Sequence, residues 1–157
     1  MSNHTDNHTY SPLTPSQEIV TSLFARMTDA QEKYKRIIEL GMQSTSLPSC
    51  HHTESNLVSG CQSIVYLHAS EAENGTIHFE AYSEALISAG LAWIATQFYS
   101  GLTPEQVIKM PPVFINKLEL QNSLSLGRSN GLTSMVDLIK KKSLEFYMRA
   151  LQNKRAD

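Results

Sequence analysis

Two cysteines and six histidines are the side chains of this sequence best able to do chemistry. One of them, Cys61, stands in Asn56-Leu57-Val58-Ser59-Gly60-Cys61-Gln62-Ser63, behind a Ser-Gly pair that marks a turn. Directly after it comes Ser63-Ile64-Val65-Tyr66-Leu67, which reads as a β-strand. A structural cysteine sits within an apolar run as a small hydrophobe. Cys61 sits at the edge of one, at the mouth of a rigid element. Two readings follow. It is either a core cysteine that opens the strand, or an accessible thiol on a flexible loop, where the thiolate is the reactive species. No histidine or lysine adjoins it in sequence, so nothing local lowers its pKa.

Cys50-His51-His52 together with Cys61 place four residues of zinc-ligand type within twelve positions. Adjacent histidines are awkward as joint ligands and no C-x-x-C occurs, yet a metal-holding scaffold remains the rival from another class. Phosphate-binding glycine loops, G-x-S-x-G and H-E-x-x-H are all absent from the sequence. Gly127-Arg128-Ser129-Asn130-Gly131 is turn-like. Its spacing favours a cap with a solvated arginine over a cation held against another part of the surface.

Thirteen basic against fifteen acidic side chains leave a formal charge of −2. A nucleic-acid binder carries a basic excess to release counterions, and this chain has none. The one basic run, Lys140-Lys141-Lys142, falls in an amphipathic helical pattern and reads as a solvated face. The longest apolar stretch, Ile87 to Ala95, is far short of the ~20 residues of a membrane span. No Lys or Arg precedes Arg26, so a cytoplasmic protein with reduced thiols is expected.

The elements that must position these residues follow from periodicity. Residues 1–13 are polar and read as a flexible tail; 14–157 form a single domain, long enough to bury a core. Thr14-Pro15-Ser16-Gln17 is a helix start with a capping box, followed by Ile19, Val20, Leu23, Phe24 and Met27 at helical spacing. A second helix starts at Asp29, carries Tyr34, Ile37 and Ile38 on one face and stops at Gly41. Two strands surround Asn74-Gly75. Placing Leu67 and Phe79 on one face requires partner numbers with an even sum, hence a three-residue loop or a bulge between them. Ser83 caps a buried central helix to about Ser100, Thr103-Pro104-Glu105-Gln106 opens a short one that Pro111-Pro112 ends, and a further turn spans Phe114 to Leu118. The last helix is expected from near Ser129 to about Gln152. The fold class is α+β: a small antiparallel sheet of about three strands packed against N- and C-terminal helices.

Four stretches taken together resemble the SufE family of sulfur acceptors. Gln31-Glu32-Lys33-Tyr34 through Ile37-Ile38-Glu39-Leu40-Gly41 is similar to its "EKY..IIELG" signature. Asn56, Val58 and Gly60-Cys61-Gln62-Ser63 with Val65 resemble "N.V.GC.S.VW"; Ser83-Glu84-Ala85 with Gly90-Leu91 resembles "SDA....GL"; Leu124, Arg128, Gly131-Leu132 and Met135 resemble "L..SR..GL..M". The matches keep their order from Ala30 to Lys142. Tyr66 stands for the usual tryptophan, Glu84 for the aspartate and Gly127 for the serine, and Cys50 lies outside the pattern. The resemblance implies a SufE/NifU-like fold and an accessory carrier, without a cofactor or metal of its own. Its partners would be a PLP-dependent cysteine desulfurase (SufS- or CsdA-like) and, downstream, an iron–sulfur scaffold. Cys61 would take the sulfur as a persulfide, with Gly60, Gln62, Ser63, Glu84 and Arg128 shaping the partner surface. Cluster scaffolds of related fold would instead use a ligand set such as Cys50, His51, His52 and Cys61.

Overall fold

A computed structural model describes residues 12–44 and 47–155. The expected tail therefore lies outside the described residues up to position 11. Among the described residues, seven helices run in the order α1 (Pro15–Thr21), α2 (Ala30–Gln43), α3 (Leu86–Tyr99), α4 (Pro104–Lys109), α5 (Val113–Lys117), α6 (Leu120–Ser123) and α7 (Leu126–Arg155). Between α2 and α3 come two 3-10 turns, Ser49–His51 and Glu54–Asn56, and a hairpin of β1 (Val65–Glu71) and β2 (Ile77–Ser83). The α+β class is as expected, but the described sheet has two strands rather than three. The chain before Cys61 pairs with β1 only through the Leu57–Tyr66 bridge and the Val58 N–H bond to Val65 O, 2.9 Å. A 3-10 turn on one side and Gly60 on the other leave it no length to extend.

The hairpin obeys the parity argument. Val65 faces Ser83, Leu67 faces Ala81 and Ala69 faces Phe79, so the apolar sets share one face. Ala72 N–H donates to Thr76 O at 2.8 Å and Gly75 N–H to Ala72 O at 2.9 Å, closing a three-residue loop. Gly75 holds it with φ +82°, a conformation side chains resist.

Helix α3 is the central element, with Ile87, Leu91, Ile94, Phe98 and Tyr99 buried. It packs on α2 through two glycines. A Cβ on Gly41 would overlap the Leu86 carbonyl and reach 3.0 Å from Gly90 N; one on Gly90 would meet Ile37 C at 2.8 Å. Gly41 is thus no stop signal. It lies inside α2, which runs on to Gln43, and lets the two backbones touch.

Both capping boxes form. Gln17 does more than cap: it is fully buried and its Nε2 donates to Phe98 O at 3.2 Å, fastening α1 to α3. Helix α1 ends at Thr21, sooner than the apolar repeat suggests, and Ile19 is left 62% exposed. Helix α7 buries Leu132, Met135, Val136 and Ile139 against the core. The lysine run is not a solvated face. Lys140 Nζ donates to the Val107, Ile108 and Met110 carbonyls at 2.9, 3.0 and 2.7 Å, closing the C-terminal end of α4. Lys142 is tied to Asn56 Oδ1 at 2.6 Å, and only Lys141 of the three is exposed.

Candidate functional site

Three elements converge on Cys61. Gly60 turns the chain with φ +82°, and its open α-carbon approaches Ser134 of α7; a Cβ there would lie 3.4 Å from Ser134 Oγ. Buried Val58 anchors the loop upstream. Downstream, β1 begins only at Val65, so Cys61 stands four residues ahead of the strand instead of opening it. Ser83 holds the loop's far end, its Oγ donating to Ile64 O at 2.8 Å.

The thiol rests on the second turn of α7. Cys61 is half-buried and its Sγ–H donates to Gly131 O at 3.7 Å. The contact exists because residue 131 has no side chain: a Cβ would sit 3.2 Å from Sγ. Gln62 lies over the preceding turn in the same way, and a Cβ on Gly127 would meet its Cδ at 2.6 Å. Two glycines one helical turn apart make a flat bed on which the Cys61–Gln62 pair lies.

Arg128 clamps the arrangement. Its Nη1 donates to Ser63 Oγ at 3.0 Å and to Ser88 Oγ of α3, joining loop, α7 and α3. The solvated-cap reading of Arg128 does not hold. The cap is Ser125, whose Oγ accepts from Arg128 N at 3.3 Å, and α7 starts at Leu126, before Ser129. The substitution at Gly127 therefore leaves the cap intact.

Electrostatics set the resting state of the thiol. Burial pushes the Cys61 pKa up, because a thiolate loses hydration. The Arg128 guanidinium acts the other way but is the smaller effect. At neutral pH the sulfur is a thiol, donating to a carbonyl.

Of the other expected site residues, Gly60, Gln62, Ser63 and Arg128 gather around Cys61. Glu84 is exposed, in a bend between β2 and α3. It does not begin the helix: Ser83 ends β2, Ala85 is the cap position and α3 starts at Leu86. Its link to the site is through Ser83, whose Oγ also accepts from Ala85 N at 3.3 Å. Sequence reasoning missed Gly131 as the thiol's seat and Ser88 as the second arm of the clamp. A serine inside the otherwise apolar Leu86–Tyr99 helix was the available signal for Ser88. On the loop that carries the thiol, Leu57 and Ile64 are exposed by 40 and 57%, and at the starts of α3 and α7 Leu86 and Leu126 are exposed by 41 and 78%.

Among the described residues no group of three His, Cys, Asp or Glu side chains is placed to hold a metal. His51 stacks on His68 with ring centroids 3.8 Å apart, and His52 lies against both Tyr66 (4.8 Å) and Tyr82 (4.5 Å). His52 Nε2 also lies 2.9 Å from Leu47 O. Cys50 is exposed on the first 3-10 turn.

The sequence and fold have relatives. Residues 17–143 match the family model described as SufE, Fe-S metabolism associated domain. The "SufE-like protein 1, chloroplastic/mitochondrial" of Arabidopsis thaliana is 32% identical over 137 residues, covering 87% of this chain and 37% of that protein. The "Cysteine desulfuration protein SufE" of Plasmodium falciparum is 32% identical over 133 residues, covering 82% of this chain and 53% of that one. The chain thus spans between about a third and a half of the curated relatives it matches. A solution structure of a hypothetical protein from Thermus thermophilus superposes with a TM-score of 0.69 at 19% identity, over 87% of this chain and 99% of that one, which establishes the shared fold. With Cys61, Arg128 and Gly131 carried on signatures that keep their order, and with a family model matching most of its length, the chain belongs to the SufE family.

Proposed function

We propose that the protein is a sulfur acceptor in Fe–S metabolism: Cys61 takes the outer sulfur of a persulfide formed on a PLP-dependent cysteine desulfurase and carries it to an iron–sulfur scaffold. The observation that carries the reading is a single thiol on a short loop, half-buried on Gly131 and held by an arginine clamp. Cys61 loses its proton, and its thiolate attacks the outer sulfur of the donor persulfide. The new bond joins Cys61 Sγ to that sulfur, the donor's S–S bond breaks, and the donor cysteine leaves as thiolate. No net oxidation occurs, so no further reagent is needed.

Among the described residues the hydrogen-bond partner of Sγ is a carbonyl and not a base. Deprotonation therefore belongs to the step that lifts the loop into the partner's site. Gly60 gives the loop its hinge. Ser63, Gln62, Arg128 and Glu84, with the exposed Leu57, Ile64, Leu86 and Leu126, supply a mixed polar and apolar surface for that partner. Two free cysteines fit a reducing compartment, and we take this to be the cytosol. No described helix is long and apolar enough to cross a membrane.

The test is sulfur transfer from a cysteine desulfurase supplied with cysteine, read by peptide mass spectrometry. One added sulfur is expected on the Cys61 peptide. Cys61→Ser should fold, acquire none and fail to stimulate the desulfurase, while Cys50→Ser should retain most activity. Sulfur on Cys50 with an active Cys61→Ser variant would overturn the assignment.

A further inference from the structure

Away from the thiol, on the outer face of the hairpin, lies a second constellation of charged and titratable groups. The two 3-10 turns, β1 and the later half of α7 line an open cavity of 420 Å³. His51, His68, Lys141, Lys142 and Arg149 line it, against one lining carboxylate, Glu145. On a chain of formal charge −2, this is a local excess of cation. Apolar atoms of Leu138 and Phe146 complete the wall, with the Arg149 guanidinium 5.1 Å from the Phe146 ring.

One of these donors is fixed in place. Lys142 Nζ is held by Asn56 Oδ1 at 2.6 Å and Ser55 O at 3.3 Å, which leaves one of its three N–H groups uncommitted. Because Asn56 Oδ1 takes that proton, its amide nitrogen is the end that donates to His51 O at 2.8 Å and faces His68 Nδ1 at 3.5 Å. An amide NH2 only donates, so His68 Nδ1 is an acceptor and the proton of its neutral ring is on Nε2. Burial, then the charges of His51 and Lys142, hold His68 below its ordinary pKa, with Glu80 opposing them. The His51 ring stacks on it at 3.8 Å and 23°. The positive charge of His68 is thus opposed by its neighbours, and a bound anion would relieve it.

We propose that this cavity binds a small phosphate-type oxyanion, with Lys142, Lys141 and Arg149 supplying charge and the imidazole N–H groups supplying hydrogen bonds. The donors arrive from a 3-10 turn, a strand and a helix, three directions that suit the oxygens of a tetrahedral anion better than a planar carboxylate. The site is independent of Cys61 chemistry and uses none of the residues of the thiol loop.

The probe is inorganic phosphate, titrated into the full chain against chloride at matched ionic strength and followed by NMR. Saturable shifts of the His51 and His68 ring protons and the Asn56 side-chain amide are expected. Lys142→Met risks releasing Asn56, so the decisive variant replaces two exposed side chains, Lys141→Ala with Arg149→Ala. It should keep the fold and weaken phosphate by about tenfold or more, the worth of one charge-assisted hydrogen bond. Equal shifts with chloride and phosphate, or a double variant that binds as well as the parent, would overturn the proposal. So would a protein blind to phosphate that binds a glutamate-rich peptide on this face, since the cavity would then be a protein contact.

Discussion

Replacing Gly131 by alanine separates the seat of the thiol from the stability of the fold. Residue 131 is a buried position within α7, and Gly→Ala inside a helix gains about 1 kcal/mol of propensity. Against this stands the new Cβ, placed 3.2 Å from Cys61 Sγ, 3.6 Å from its Cα and 3.7 Å from its Cβ. The overlap is confined to the sulfur and amounts to a few tenths of an ångström. Cys61 lies on a loop hinged at Gly60, so the loop can yield, at a strain on the order of 1 kcal/mol. The two effects nearly cancel, and the thermal midpoint should stay within about 4 °C of the parent. The thiol pays instead: it loses its place on the helix, gains water, and its pKa falls back from the raised value toward the ordinary one. Alkylation at pH 7 under native conditions should become several-fold faster at Cys61 and unchanged at exposed Cys50, which serves as the internal standard. An alanine variant of parental stability whose Cys61 alkylates at the parental rate would refute the account, because the sulfur would not be held by that contact.

Two further outcomes follow from the geometry. Gly90→Ala should destabilise by about 1–3 kcal/mol in chemical denaturation, since its Cβ would run into the Ile37 backbone, which cannot rotate away; a Gly90→Ala variant of parental stability would mean that α2 and α3 do not meet there. Arg128→Met removes the one effect that lowers the Cys61 pKa and leaves burial unopposed, so the pH profile of alkylation should move to higher pH; a shift to lower pH would show that the clamp's main effect is to keep the sulfur covered.

What the sequence disclosed and what it withheld divide along a physical line. Local chemistry was legible: both Thr-Pro-x-Gln capping boxes, the asparagine–glycine loop with its parity, and the prolines that end α4 each act within a few residues of themselves. Contacts between distant segments were not. Gly41 reads as a helix stop in isolation because glycine at a helix end and glycine at a helix crossing look alike in one dimension; only Gly90, forty-nine positions on, tells them apart. Lys140 reads as solvated because its three carbonyl partners belong to the end of α4, a helix whose free end the sequence does not advertise. Cys61 was found by its position after a Ser-Gly turn, and its arginine only through a family signature, since the spacing from 61 to 128 carries no signal.

A carrier thiol faces opposed demands. Before loading it must resist oxidation and stray electrophiles, which favours a protonated, covered sulfur; at the donor it must be a thiolate in line with an S–S bond. One fixed environment cannot meet both. Here burial and Arg128 act on the sulfur in opposite directions, and burial dominates while the loop lies on α7. A movement that lifts Cys61 from Gly131 removes the dominant effect at once. The opposing one decays more slowly, because a Coulomb attraction falls with distance and not with contact. Arg128 is itself tethered to the loop through Ser63 and to α3 through Ser88, so small excursions keep the guanidinium beside the sulfur after its desolvation has gone. The Cys61 pKa then moves down toward its ordinary range during the motion itself, which brings the thiolate within reach as the partner's site is entered. Glycine at 131 makes the bed low enough to leave, since a Cβ there would lie 3.2 Å from the sulfur and lift the thiol off the helix.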